Sequence, residues 1–136
     1  MYNNLYINWT DKNNIGIKII DEQHRGIISA INSLYYFIQT GHQEDIIKPT
    51  IVTLEQYIKI HFQTEEALML EADYPDVEQH IKLHKSWTKK SKVIFYEALN
   101  NQDPMLLLKF LKDWWMQHIQ YEDIKYTSYI EKILPH

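Results

Sequence analysis

The sequence predicts an all-α fold: an up-down-up-down antiparallel four-helix bundle with an N-terminal arm. Three observations predict it. Breakers are scarce, with 3 Gly and 4 Pro among 136 residues, a balance that favours long helices over strands and turns. Apolar residues make up 45% of the chain and recur at three- and four-residue steps in four successive stretches. Short connections join those stretches, which makes consecutive helices antiparallel neighbours.

The elements follow in order. Residues 1–19 have no helical period but carry Tyr2, Leu5, Tyr6, Ile7 and Trp9, so this arm is expected to pack across the bundle rather than expose an apolar patch. The first helix, about 20–40, has its stripe at Ile20, His24, Ile27, Ile31, Leu34 and Ile38 and ends before Gly41. The second, about 45–72, runs through Ile47, Ile51, Leu54, Ile58, His61, Glu65, Leu68 and Ala72. Asp73-Tyr74-Pro75-Asp76 breaks it, because Pro disfavours helix at the preceding residue. The third, about 77–99, carries Val77, His80, His84, Trp87, Ser91, Ile94 and Ala98. Asp103 and Pro104 then suit the N-cap and first position of a fourth helix, about 104–133, with Leu107, Leu111, Trp114, Trp115 and His118 on its stripe. A single domain over 1–136 is the expectation.

Composition excludes several classes. No run approaches the roughly 18 apolar residues of a membrane span. Met1 to Asn14 has no basic region followed by an apolar stretch, so no secretory signal is expected. A cytoplasmic location fits a chain without cysteine, which also has no disulfide framework and no thiolate metal site. The net charge of −4 argues against nucleic acid. The densest basic stretch, Lys82, Lys85, Lys89, Lys90 and Lys92, falls mostly on the outward side of one helix and reads as a solvated face.

The seven histidines are the unusual feature. His42, in the first loop, and His136, the last residue, read as ordinary positions. The other five, His24, His61, His80, His84 and His118, lie in the apolar stripes, and every helix contributes at least one. Burying five imidazoles in a small bundle costs on the order of several kcal/mol of unmet hydrogen bonding unless something coordinates them. His80 and His84 form an i,i+4 pair, with Cβ atoms roughly 5–6 Å apart, so two ring nitrogens can meet one ion. His61 and Glu65 repeat the step with a carboxylate, which can serve two metals, one on each oxygen. The mixture suggests two metals bridged by acids and capped by histidines. Structural zinc needs only four ligands, usually with thiolates, whereas imidazole with carboxylate suits iron. A ferritin-like di-iron protein would show Glu three residues before a histidine on two helices. Here those positions are Asp21, Ile58, Val77, Ile81 and Trp115.

The pattern resembles the hemerythrin family in its single-domain bacterial form. The matching elements are Trp9, Ile15-Gly16-Ile17, Asp21-Glu22-Gln23-His24, His61-Phe62-Gln63-Thr64-Glu65-Glu66, Tyr74-Pro75, His80 with His84, and Trp114 followed by His118-Ile119 and Asp123. The resemblance implies two iron ions (Fe2+ or Fe3+) with a bridging oxo or hydroxo group. It puts His80, His84 and His118 on one iron and His24 and His61 on the other, with Glu65 and Asp123 bridging both. The ligand count then leaves one position open, on the His24/His61 iron, and the resemblance implies that molecular oxygen binds there reversibly.

Two points stay open at this level. Ideal helix geometry gives His118 a partner at i+4, Glu122, because i+5 lies about 140° round the helix. The family places its carboxylate at i+5, Asp123, which requires a local distortion of the helix. Around the open position an apolar pocket is expected, from Ile27, Phe62 and Trp115. Trp115 departs from the family, which commonly has Leu there. An oxygen carrier or store is the favoured function, and five neutral imidazoles argue for reversible binding over oxygen activation. The alternatives are an oxygen or redox sensor acting through a separate protein partner, and a di-iron enzyme that reduces peroxide or nitric oxide.

Overall fold

The structure, a computed structural model, describes residues 5–41 and 43–134, and the side chains of all of these except residues 43, 44, 115, 116, 120 and 121. Four long segments form the bundle. They are α1 (Lys18–Gln39), α2 (Gln43–Glu71), α3 (Val77–Asn100) and a fourth that begins as α4 (Pro104–Trp114). Each packs on its chain neighbours, and α4 returns to α1, which closes the ring of four. The start of α4 is capped as expected, the Leu106 amide donating to Asp103 Oδ1 at 3.1 Å. Gly41, just past α1, takes φ +80°, the left-handed turn that stops a helix. Within α1, Gly26 lets α2 approach closely, since a Cβ there would lie 2.7 Å from the Tyr57 ring. Pro49 falls inside α2, where it can donate nothing to the carbonyl four residues earlier.

The fourth segment differs from the single helix expected over 104–133. α4 stops at Trp114 and gives way to a π-helical stretch, Trp115–Glu122, then a 3-10 turn, Asp123–Tyr126, then α5 (Thr127–Glu131). Apolar periodicity could not reveal this, because the stripe continues on both sides of the break.

The arm is tied down by side chains of α1. Asn32 pairs with the Ile7 backbone in both directions, accepting from its amide at 2.9 Å and donating to its carbonyl at 2.8 Å. Asp21 accepts from the Ile15 and Gly16 amides at 2.8 and 3.2 Å. A 3-10 turn, Asp11–Asn13, interrupts the arm.

The interior is divided in two. One apolar cluster includes Ile27, Ile31, Leu54, Phe62, Leu107 and Trp114. A smaller one is built from Ile15, Ile17, Ile20, Met69, Tyr74, Tyr126 and Ile130. On every long segment the histidines fall between residues of these two clusters, so the bundle carries a polar layer between two apolar ones.

Candidate metal centre

His24, His61, Glu65, His118 and Asp123 have no exposed surface, and His80 and His84 are 5% and 2% exposed. The structure brings all seven together. Their ligand atoms form two groups, Glu65 with His80, His84 and His118, and Asp123 with His24 and His61, the atoms of each group lying within 4.8 Å of one another.

Asp123 connects the groups. Its Oδ1 lies 3.2 Å from His118 Nε2 and 3.4 Å from His80 Nε2. Its Oδ2 lies 3.2 Å from His24 Nε2 and 3.3 Å from His61 Nε2. One carboxylate thus turns an oxygen to each set of histidines. Glu65 joins them differently, through Oε1 alone, 3.1 Å from His61 Nε2, 3.2 Å from His84 Nε2 and 3.8 Å from His118 Nε2. Its other oxygen accepts a 2.5 Å hydrogen bond from the Tyr126 hydroxyl.

The backbone of the fourth segment explains how Asp123 arrives. The Asp123 amide donates to the His118 carbonyl, five residues back, so one π turn sets Asp123 nearly above His118. The following 3-10 turn has three residues per turn, which sets Tyr126 above Asp123. Glu122 points elsewhere: it is half-buried and accepts from Lys125 Nζ at 3.0 Å. Of the two carboxylates left open by the sequence, the geometry brings Asp123 to the cluster and leaves Glu122 out.

The donor set fits a cation. Glu65 Oε1, Asp123 Oδ1 and the Nε2 atoms of His80, His84 and His118 are buried without a hydrogen bond, although they crowd one another at the distances above. Bare polar atoms so arranged cost roughly 1–3 kcal/mol each, and a shared positive ion removes that cost. Supporting bonds aim the rings. His61 Nδ1–H donates to Gln23 Oε1 at 3.1 Å, and Gln23 in turn donates to Thr64 Oγ1 at 3.0 Å. His84 Nδ1–H donates to Glu66 Oε2 at 2.9 Å. A carbonyl or carboxylate oxygen can only accept, so in both rings the proton sits on Nδ1 and Nε2 keeps its lone pair for a ligand bond.

Electrostatics agree. Burial, reinforced by the His61 ring, holds His24 well below its ordinary value. Burial holds His80 down to about 4 and lowers His118 as well. These imidazoles are neutral at neutral pH, as ligands must be. Burial would raise Glu65, but the imidazoles crowded against it, His61 first, outweigh that and hold the carboxyl well below its usual range. Burial and the nearby Glu65 push Asp123 well up. Burial, with Glu65 beside it, also keeps the Tyr126 phenol protonated as a donor.

Aromatic rings flank the cluster. Phe62 lies with its ring centre 6.0 Å from that of His61 and stacks on His84, with centroids 3.8 Å apart and planes 7° from parallel. The reason is helical: one residue past His61, its side chain turns about 100° away from that ring, towards α3. Trp114 lies parallel to His118 with centroids 6.2 Å apart. Ile27 is fully buried in the larger apolar cluster. The Trp115 side chain, His42 and His136 lie outside the described residues. Sequence reasoning assigned no role to Gln23, Glu66 or Tyr126. The first two are chain neighbours of His24 and Glu65, but only the fold shows which partner each reaches.

Comparisons with known proteins agree with this site. Residues 15–130 match the family model described as the hemerythrin HHE cation binding domain. The chain is 32% identical to a bacteriohemerythrin of Stenotrophomonas maltophilia (strain R551-3), over 90% of this chain and 80% of that protein. It is 25% identical to a myohemerythrin of Theromyzon tessulatum, over 88% of this chain and 90% of that one. A crystal structure of a hemerythrin mutant shares the fold with a TM-score of 0.76, at 24% identity, over 93% of this chain and 98% of that chain. A family model matching that span, with relatives of this likeness, leaves one conclusion: the chain belongs to the hemerythrin family, whose domain binds metal ions.

Proposed function

We propose that this protein binds molecular oxygen reversibly at a non-haem di-iron centre, as a carrier or store. The observation that carries the reading is Asp123, whose two oxygens face two separate sets of histidines. Two ions fit that arrangement better than one, and bridging carboxylate with imidazole suits iron rather than a thiolate-rich zinc site. The relatives named bacteriohemerythrin and myohemerythrin support the choice. His80, His84 and His118 would hold one iron, His24 and His61 the other, with Glu65 and Asp123 shared. Bound there, the pair would supply the electrons on which reversible oxygen binding draws.

The chain's own part is to hold neutral imidazoles in place, keep water away and leave one side less ligated. His24 and His61 provide fewer nitrogens than the opposite set, so their side would leave more room for a small molecule. Gln23 and Glu66 fix two rings, and Tyr126 keeps one Glu65 oxygen in a hydrogen bond. Imidazoles donate little anionic charge, which disfavours high-valent iron and hence turnover; we therefore read the protein as a binder rather than an enzyme.

The test is an anaerobic absorbance spectrum of iron-loaded protein, taken before and after oxygen is admitted and again after it is removed. A charge-transfer band that appears and then disappears supports the proposal. Its absence in protein holding about two irons per chain, or steady consumption of peroxide or nitric oxide, would overturn it.

A further inference from the structure

A second concave surface lies beside the cluster, between α2 and α3. A cleft of about 690 Å³ opens there, within the range that ordinary small-molecule sites occupy. Its floor is apolar, from Ile58, Phe62 and Phe95, all buried. Its rim carries four lysines, Lys59 from α2 and Lys85, Lys89 and Lys92 from α3, all exposed. Among the described residues none of the four is in an ion pair, because the one lysine–carboxylate bridge is that of Lys125 with Glu122. Two carboxylates also line the cleft, Glu55 and Glu66, the second accepting from His84, so four ammonium groups stand against two opposing charges.

Three of the five lysines that the sequence assigned to a solvated face therefore share one concave surface with a lysine from the neighbouring helix. Lys90 differs, lying 5.2 Å from the centre of the Trp87 ring, and Lys82 does not line the cleft. Along either helix the lining residues span twelve positions, eleven steps apart end to end, roughly 16 Å at the usual rise. A long apolar floor under an excess of ammonium groups selects for charge at the edge and hydrocarbon at the bottom. Bare inorganic anions would leave the floor wet, and a neutral hydrocarbon would leave the lysines unanswered.

We propose that this cleft is a binding site for an elongated organic anion, a carboxylate or related acid head on an apolar body. His84 and Glu66 line it too, so an occupant lies beside the hydrogen bond that orients one cluster imidazole. The site stands or falls independently of what the metals bind.

Calorimetric titration of the metal-loaded protein with decanoate tests it, with decan-1-ol and acetate as the neutral-chain and chainless controls. Decanoate should bind with a stoichiometry near one, and both controls about tenfold or more weakly. Lys85→Glu with Lys89→Glu should weaken decanoate by about tenfold or more, and added salt should weaken it in the parent. Lys82→Glu with Lys90→Glu makes the same charge change on the same helix and should leave the affinity within about twofold. Equal loss in both double variants would reduce the effect to net charge and overturn the proposal, as would decan-1-ol binding as well as decanoate. A polyglutamate peptide that binds more tightly than decanoate would assign the cleft to an acidic protein segment and equally overturn it. Thermal melts of both variants show whether either has lost its fold, and the contrast between the two variants shows where the ligand sits.

Discussion

The third and fourth segments bring their residues to the cluster in opposite ways. On α3, His80 and His84 are four residues apart on an unbroken helix, and the ordinary period aims both rings inward. On the fourth segment, His118 and Asp123 are five apart, a step that a regular helix cannot serve. There the backbone yields instead: a π turn aligns the pair and a 3-10 turn brings Tyr126 into line behind them. Where spacing and period agree, spacing alone selects the ligand. Where they disagree, a bundle with buried polar atoms to satisfy deforms its helix rather than leave a carboxylate out.

Breaking either half should cost metal, and the largest effect is expected from the regular half. His84→Ala removes a ring that faces Glu65 and stacks on Phe62, so, on the proposed di-iron reading, the loaded protein should fall from about two irons per chain to one or none. His42→Ala should leave the iron content unchanged, and elemental analysis of the two variants checks both statements.

In the distorted half, Asp123→Ala should lose iron nearly as completely, while Glu122→Ala should keep both ions. Deletion of Gln120 sharpens the contrast. It shortens the His118–Asp123 step to four residues, which an ordinary α-turn serves, so this variant should still load iron with Asp123 inward. Iron lost on deletion but kept in Asp123→Ala would show that the π turn, rather than the carboxylate it delivers, is what the site needs.

An intermediate effect is expected from the residues that aim the rings. Gln23→Ala and Glu66→Ala should each weaken metal binding by about 10- to 100-fold without unfolding the chain, as competition with a chelator would measure. Equal retention in both variants would mean that packing alone holds His61 and His84.

A graded effect, spread over a pH range rather than lost at one substitution, comes with acid. His80 titrates near 4 in the folded chain against 6.5 ordinarily. Above about pH 6.5 it is neutral whether folded or not and contributes no slope. Between about 6.5 and 4 only the unfolded chain takes the proton, so stability should fall with pH across that window, by on the order of 3 kcal/mol from this residue. His24 and His118 are lowered too and steepen the fall. Chemical denaturation of the metal-free protein at pH 7, 6, 5 and 4 measures it, and a flat midpoint would contradict the buried, neutral imidazoles described above.

Much of this was legible without coordinates. The periodic stripes placed four helices, with α1, α2 and α3 starting and ending within about two residues of the expected bounds. They also put five histidines and Glu65 inward, because hydrophobic period and side-chain direction are local properties of the chain. Even the conflict at His118 was visible, once the family resemblance implied a carboxylate five residues on, at Asp123, where the helical period offered Glu122.

The resolution of that conflict was not local. Whether Glu122 or Asp123 turns inward depends on the energy of a distorted turn set against that of buried polar atoms on three other helices, and only the assembled bundle compares them. The same holds for Phe62, whose direction depends on where α3 lies, and for Tyr126, which meets Glu65 across 61 residues of chain. It holds again for the lysines of α3, outward by helical period alone yet gathered into a cleft once α2 packs beside them. The sequence by itself determined which residues of the regular helices face in. Contacts between elements far apart in the chain decided which of them meet, because the chain's periodicity carries no record of its neighbours' positions.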